Sequence, residues 1–129
     1  MHKRFATAIN CIDGRAQNPV IEYMRHNFGI DYVDMITEPG PNKILSEGRD
    51  INIIESFKRK VEISVKKHNS RLIIIAAHYD CAGNPVDEKT QKEQLRKAVD
   101  TIASWGFQIN KIIALWLDEG FNPNIVYRR

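Results

Sequence analysis

The sequence is poor in the features that would make its class obvious. It has only two cysteines, Cys11 and Cys81, too few for the disulfide framework that holds small secreted domains together. No apolar stretch approaches the ~20 residues needed to cross a bilayer, and the first 30 residues contain no apolar core of a signal peptide. The reading excludes membrane insertion and favours a reducing, cytoplasmic setting. Seven glycines and five prolines leave no room for a low-complexity segment or a linker, and no internal repeat is present. Charge of one sign is also missing in excess: 19 Lys+Arg against 16 Asp+Glu give a net +3. The densest basic run, Lys58-Arg59-Lys60 followed by Lys66-Lys67, has no interleaved aromatics, so it reads as the solvated face of a helix and not as a nucleic-acid surface. With 129 residues, 43% of them hydrophobic, a single domain spanning 1–129 is expected to bury an ordinary core.

What is present alternates between two periodicities. Phe5 to Ile9 is a short apolar run and the first expected strand. Asn18-Pro19 offers an N-cap with proline at the first helical position, Val20, Ile21, Met24 and Phe28 follow at helical spacing, and Gly29 closes the helix. Ile30 to Ile36 alternates as a half-buried strand does, and Glu38 to Asn42 reads as a turn or loop. Ile51, Ile54, Phe57, Val61, Val65 and His68 recur every three or four residues, which predicts an amphipathic helix over about 50–68. Leu72 to Ala77 is apolar without alternation, the pattern of a central parallel strand covered on both faces. A further helix is expected over about 87–104, with Leu95, Val99, Ile102 and Ala103 on one face, then a last strand over Ile112–Leu117 and a polar tail. Strands alternating with helices imply parallel pairing and right-handed crossovers. The expected architecture is therefore an α/β three-layer sandwich on a four-stranded, mainly parallel sheet of order 2-1-3-4.

That order matters because ligands bind beyond the carboxyl ends of the strands where the order reverses, here between the first and third strands. Cys11 follows the first strand, and His78-Tyr79-Asp80-Cys81 follows the third. Two thiols and an imidazole supply three of the four ligands of a tetrahedral zinc and leave one position open for chemistry. Burial alone is the plain alternative for the cysteines, since free Cys is among the most buried residue types. A redox protein using Cys11 and Cys81 as a reversible dithiol is another, although it leaves His78 without a role. A phosphatase-type nucleophile is weaker still, because Gln17 stands where that chemistry places Arg six residues after Cys.

Cys11-Ile12-Asp13-Gly14-Arg15 and His78-Tyr79-Asp80-Cys81 together resemble the Cys-x-Asp-x-Arg and His-x-x-Cys signatures of the β-class carbonic anhydrases. The resemblance extends to the order of elements and to the strand leading into the histidine. It implies Zn2+ as cofactor with Cys11, His78 and Cys81 as metal ligands, Asp13 and Arg15 as the catalytic pair beside the metal, and carbon dioxide and bicarbonate as substrates. A zinc-bound hydroxide would attack carbon dioxide, with Asp13 orienting it and Arg15 holding Asp13 ionised. The family also shows a closed state in which the aspartate takes the fourth metal position, which Asp13 could do if Arg15 is drawn away.

The sequence departs from the family pattern at several points. Gly14 stands where serine is usual, and Ala77 and Ala82 replace glycines that usually flank His-x-x-Cys, with Gly83 one residue later. The first strand begins almost at Met1, leaving no N-terminal helical arm, and the segment after the second strand is reduced to Thr37–Asn42. These departures motivate a zinc-binding relative without hydratase activity, or one acting on another small carbonyl or thiocarbonyl compound. The resemblance further implies a homodimer or higher homo-oligomer, for which Phe121, Ile125 and Val126 are candidate contacts unless they pack back on the sheet. His2, His26 and His68 have no ligand spacing, Asp80 reads as a capping or exposed group, and Trp105, Phe107 and Trp116 read as core or interface.

Overall fold

The computed structural model describes residues 3–129. Five strands, β1 (Phe5–Asn10), β2 (Tyr32–Thr37), β3 (Leu72–His78), β4 (Lys111–Leu117) and β5 (Pro123–Arg128), form one sheet of order β2-β1-β3-β4-β5. Helices α1 (Gln17–Phe28), α2 (Pro41–Glu47), α3 (Ile51–His68) and α4 (Glu88–Ser104) connect them. β1 to β4 are mutually parallel and β5 is antiparallel to β4. The sheet thus has one more strand than the four expected. Asp118 accounts for it: its carboxylate accepts the backbone N–H groups of Gly120 and Asn122, each at 3.0 Å, which turns the chain back as a hairpin instead of releasing a tail.

The unbroken apolar run of β3 behaves as a strand buried on both faces. Ile73, Ile75 and Ala77 point to a core shared with Leu45, Phe57, Val61, Leu95 and Val99 of α2, α3 and α4. Leu72, Ile74 and Ala76 point the other way, to a core shared with Val20 and Met24 of α1. A buried isoleucine contributes ~2–3 kcal/mol of transfer free energy, so this one strand anchors both layers. α3 is capped by Asp50, which accepts from Ile53 N at 3.2 Å, and α4 by Asp87, which accepts from Thr90 N at 2.9 Å. Asn69 and Gly29 in the left-handed region close α3 and α1.

Several boundaries differ from the sequence expectation. α1 starts at Gln17 after a short 3-10 turn (Gly14–Ala16), so Asn18-Pro19 lies inside its first turn and not at its cap. Glu38–Gly40 is a loop as expected, but Pro41 opens α2. Ile51, placed on the inner face of α3, is exposed because the helix has not yet reached the sheet at its first residue. Of the C-terminal apolar residues, Val126 and Phe121 pack against the two cores, and only Ile125 stays exposed. His26 is exposed, His68 ends α3 and pairs with Asp34 at 2.7 Å, and His2 lies outside the described residues. Among the described residues no helix is long and apolar enough to cross a membrane.

Candidate metal centre

Parallel β1 and β3 are direct neighbours, with Thr7 opposite Ile73 and Ile9 opposite Ile75. Cys11, the first residue after β1, and His78, the last of β3, are therefore delivered to the same carboxyl-end crevice. The residues between His78 and Cys81 turn the chain back through Asp80 in the left-handed region (φ 58°). As a result the ligand atoms of Cys11, His78 and Cys81 lie within 4.8 Å of one another, and all three residues are buried.

The protonation geometry of His78 is set by its neighbour. Its Nδ1 lies 2.7 Å from the carbonyl oxygen of Tyr79, an acceptor only, so Nδ1 carries the proton and donates. Nε2 is left facing the two sulfurs, buried and without a hydrogen-bond partner. An orphaned imidazole nitrogen in the interior is costly unless something else binds it. The thiol sulfurs are 3.8 Å apart. Cys11 is pulled far below the usual thiol range, chiefly by a hydrogen bond from Cys81, against burial, and with help from His78 and the N–H groups of Gly40 and Asp13. Cys81 is pushed up by donating to Cys11 and by burial. Burial lowers His78, yet the nearby Cys11, the Tyr79 carbonyl and Asp13 together raise it above its ordinary value. Cys11 is thus disposed to be a thiolate, and a cation that binds thiolate and neutral imidazole would displace the proton that Cys81 retains. Two sulfurs and one nitrogen form the donor set of a tetrahedral zinc with an open fourth position, and these residues fit it.

Asp13 and Arg15 stand at the mouth. Arg15 grips Asp13 with two parallel bonds, Nη2 to Oδ2 at 2.7 Å and Nε to Oδ1 at 3.1 Å. Those bonds hold the Asp13 carboxyl at about 2, below the usual carboxylate range. Asp13 Oδ2 is also 3.9 Å from His78 Nε2, so a carboxylate oxygen borders the space the ligand atoms share. The loop is fixed beneath by Gln17, whose amide donates to Cys11 O at 2.8 Å and Asp13 O at 2.9 Å. Asn10 Oδ1 accepts from Cys11 N at 2.9 Å. Asp80 is exposed, and it accepts from Arg15 through its backbone carbonyl at 3.2 Å and its carboxylate at 3.4 Å.

Sequence reasoning missed three features of this region. Phe121, at the tip of the β4–β5 hairpin, sits 5.7 Å from the His78 ring and 4.9 Å beneath the Arg15 guanidinium. A buried amide cluster of Asn42, Asn84, Gln91 and Gln94 ties α2 and α4 to the His78–Cys81 loop, with Gln91 donating to His78 O. Spacing of Gln91 and Gln94 on one helical face was the available signal. Third, Gly83 lets the loop after Cys81 pass close against Pro39: a Cβ there would lie 2.6 Å from Pro39 Cβ. Gly14, in contrast, has open space around it, so the missing serine reflects no steric demand.

A mostly parallel sheet carrying a thiol–imidazole–thiol cluster beyond β1 and β3 defines an α/β protein with a candidate transition-metal centre. The chain belongs to the family described as "Putative carbonic anhydrase", whose model matches residues 1–127. No curated protein sequence matches it. Among solved structures it is similar to β-carbonic anhydrase isoform I of Trichomonas vaginalis, at 12% identity and a TM-score of 0.63 over 98% of this chain and 85% of that one. It is also similar to the carbonic anhydrase of Streptococcus mutans, at 16% identity and 0.58 over 98% and 87% of the two chains. A third similar structure, a tetrameric β-carbonic anhydrase of Sordaria macrospora, gives 13% and 0.59 over 96% and 81%. At these identities the likeness is one of fold.

Proposed function

We propose that this protein is a zinc-dependent carbonic anhydrase that interconverts carbon dioxide and bicarbonate, with Cys11, His78 and Cys81 as metal ligands. The observation that carries the reading is the buried, unpartnered Nε2 of His78 facing two thiol sulfurs. Zinc held by these three residues would supply the nucleophile for hydration, by lowering the pKa of a bound water towards ~7. Asp13, kept ionised and turned aside by Arg15, is the hydrogen-bond acceptor that orients that nucleophile. Arg15 is a positioning residue: as long as its two bonds hold, Asp13 stays out of the fourth position, and release of the pair would let the carboxylate close the site. Phe121 walls the His78 ring against solvent. The protein acts in the cytoplasm, where its free thiols remain reduced, as a homodimer or higher homo-oligomer. Support for the assembly is the tetramer named for the Sordaria macrospora relative.

The test is stopped-flow carbon dioxide hydration with zinc content measured on the same sample, wild type beside Cys81→Ser. Stoichiometric zinc with hydration that disappears in the variant is the expected result. Zinc without hydration at any pH would replace the hydratase with a metal-binding relative. Absence of zinc after reconstitution under reducing conditions would transfer the two thiols to the dithiol reading.

A further inference from the structure

The opposite edge of the sheet carries a second feature that the proposed chemistry does not use. Because β1, β3 and β4 are parallel, their amino ends lie together, away from the cysteines by the length of a strand, roughly 20 Å at ~3.3 Å per residue. A cavity of about 620 Å³ opens there. Its lining includes five cations, Lys3, Arg4, Lys67, Arg71 and Lys111, and no carboxylate.

Helix capping explains two of the five. Arg4 Nη1 donates to Phe28 O at 2.8 Å at the end of α1, and Arg71 Nη1 donates to Val65 O at 3.4 Å in the last turn of α3 and to Ser70 O at 2.8 Å just beyond it. Lys3, Lys67 and Lys111 cap nothing and form no salt bridge among the described residues. Lys111 rests its ammonium 5.7 Å from the Phe28 ring. Two carboxylates stand behind the lining and not in it: Asp31 accepts from the Arg4 backbone N–H at 2.7 Å, and Asp34 holds the lining residue His68 and Ser64, each at 2.7 Å, while neither pairs with a lysine. Arg4 and Arg71 are offset in part by the carbonyls they bond, whereas the ammonium groups of Lys3, Lys67 and Lys111 share the concavity with no carboxylate in its lining. In a protein whose net charge is only +3, that concentration is local and not a consequence of composition. The amides of Asn69 and Asn110 add neutral donors, while Phe5, Phe28, Ile30 and Leu72 form an apolar wall.

We propose that this cavity binds a small anion bearing more than one phosphate charge, its phosphates among Lys3, Lys67, Arg71 and Lys111. A diphosphate offers the oxygens that such a ring of donors can share, and the apolar wall admits an organic group beside it. The site is separate from the candidate metal centre, and binding there is read without any assay of hydration.

The experiment is calorimetric titration of the full chain with inorganic pyrophosphate and, separately, with adenosine diphosphate, at about 0.15 M salt. Lys67→Gln/Lys111→Gln removes two lining charges that bond to nothing, and Lys60→Gln/Lys89→Gln removes two exposed charges elsewhere as the matched control. Saturable one-site binding that weakens about tenfold or more in the first pair and less than about twofold in the control is expected. Lys3→Gln, on another part of the rim, serves as an independent second variant and is expected to weaken binding too. Tighter adenosine diphosphate identifies a phosphorylated organic ligand that uses the apolar wall, and equal affinity identifies inorganic polyphosphate; both support the site. Failure of the wild type to bind either probe at millimolar concentration, or equal weakening by both double variants, would overturn it.

Discussion

Gln91→Leu isolates the amide cluster from the proposed metal ligands it supports. Gln91 is 1% exposed, and its side chain makes four hydrogen bonds. Nε2 donates to His78 O at 3.3 Å and Asn84 O at 3.2 Å, and Oε1 accepts from Asn42 Nδ2 at 3.0 Å and Asn84 Nδ2 at 3.3 Å. Leucine fills similar volume and makes none of these. At ~1 kcal/mol net per bond the upper cost is about 4 kcal/mol. Three of the four partners keep an alternative: Asn42 and Asn84 still reach Gln94 Oε1 at 2.9 and 2.6 Å, and Asn84 O still accepts from Val86 N at 2.8 Å. Only the His78 carbonyl loses its side-chain donor, so the expected loss is about 2 kcal/mol. For 129 residues, an unfolding entropy of about 2.1 cal/mol/K per residue converts this into a fall in Tm of roughly 7 °C. Urea unfolding and calorimetry of the metal-free protein measure it. Because the cluster holds the loop that carries His78 and Cys81, zinc affinity measured by chelator competition is expected to fall about tenfold as well. A loss of stability under about 0.5 kcal/mol with unchanged zinc affinity would refute the reasoning.

Other perturbations probe separate parts of the account. Arg15→Gln removes the partner that depresses Asp13, whose carboxyl is held at about 2 against an ordinary 3.8. A depressed carboxylate stabilises the fold above its unfolded value and loses that contribution as pH falls through the folded one. The difference in urea midpoint between wild type and Arg15→Gln is therefore expected to be constant above about pH 4 and to vanish towards pH 2, and parallel curves down to that pH would contradict it. Gly83→Ala places a Cβ 2.6 Å from Pro39 Cβ and 2.9 Å from its carbonyl carbon. It should cost about 1–3 kcal/mol in thermal unfolding and weaken zinc binding by moving Cys81, and a neutral result would mean that the loop yields freely. Thr7→Val deletes the buried hydroxyl that contacts Ser64 Oγ at 2.6 Å and Ser70 Oγ at 2.8 Å. Since Ser64 retains Asp34 and Ser70 retains Leu72 O, a loss of only about 1–2 kcal/mol in chemical denaturation is expected, with zinc binding unaffected.

The parts of the molecule that were legible in the sequence are those whose burial is complete. β3 and β4 carry no alternation because both faces are covered, and α3 and α4 show helical periodicity because one face meets the sheet. The convergence of Cys11, His78 and Cys81 followed from the strand order, which parallel connections nearly dictate. β5 was hidden because an edge strand buries only part of itself: Val126 and Tyr127 pack inward while Asn124, Ile125 and Arg128 remain exposed. α2 was hidden behind Pro39-Gly40-Pro41, whose turn chemistry masked a proline that starts a helix. Phe121 could not be assigned to His78 without knowing that Asp118 folds the hairpin over the crevice. The amide cluster is a tertiary property, assembled from α2, α4 and the loop after β3, and no local spacing reveals its closure.

The central claim is that two thiolates and one imidazole hold zinc with a fourth position open to solvent or Asp13. X-ray absorption at the zinc edge of the reconstituted, reduced protein tests it most directly. The account predicts two sulfur neighbours at about 2.3 Å and two nitrogen or oxygen neighbours at about 2.0–2.1 Å, with one sulfur lost in Cys81→Ser. A first shell free of sulfur, or one that Cys81→Ser leaves unchanged, would contradict it.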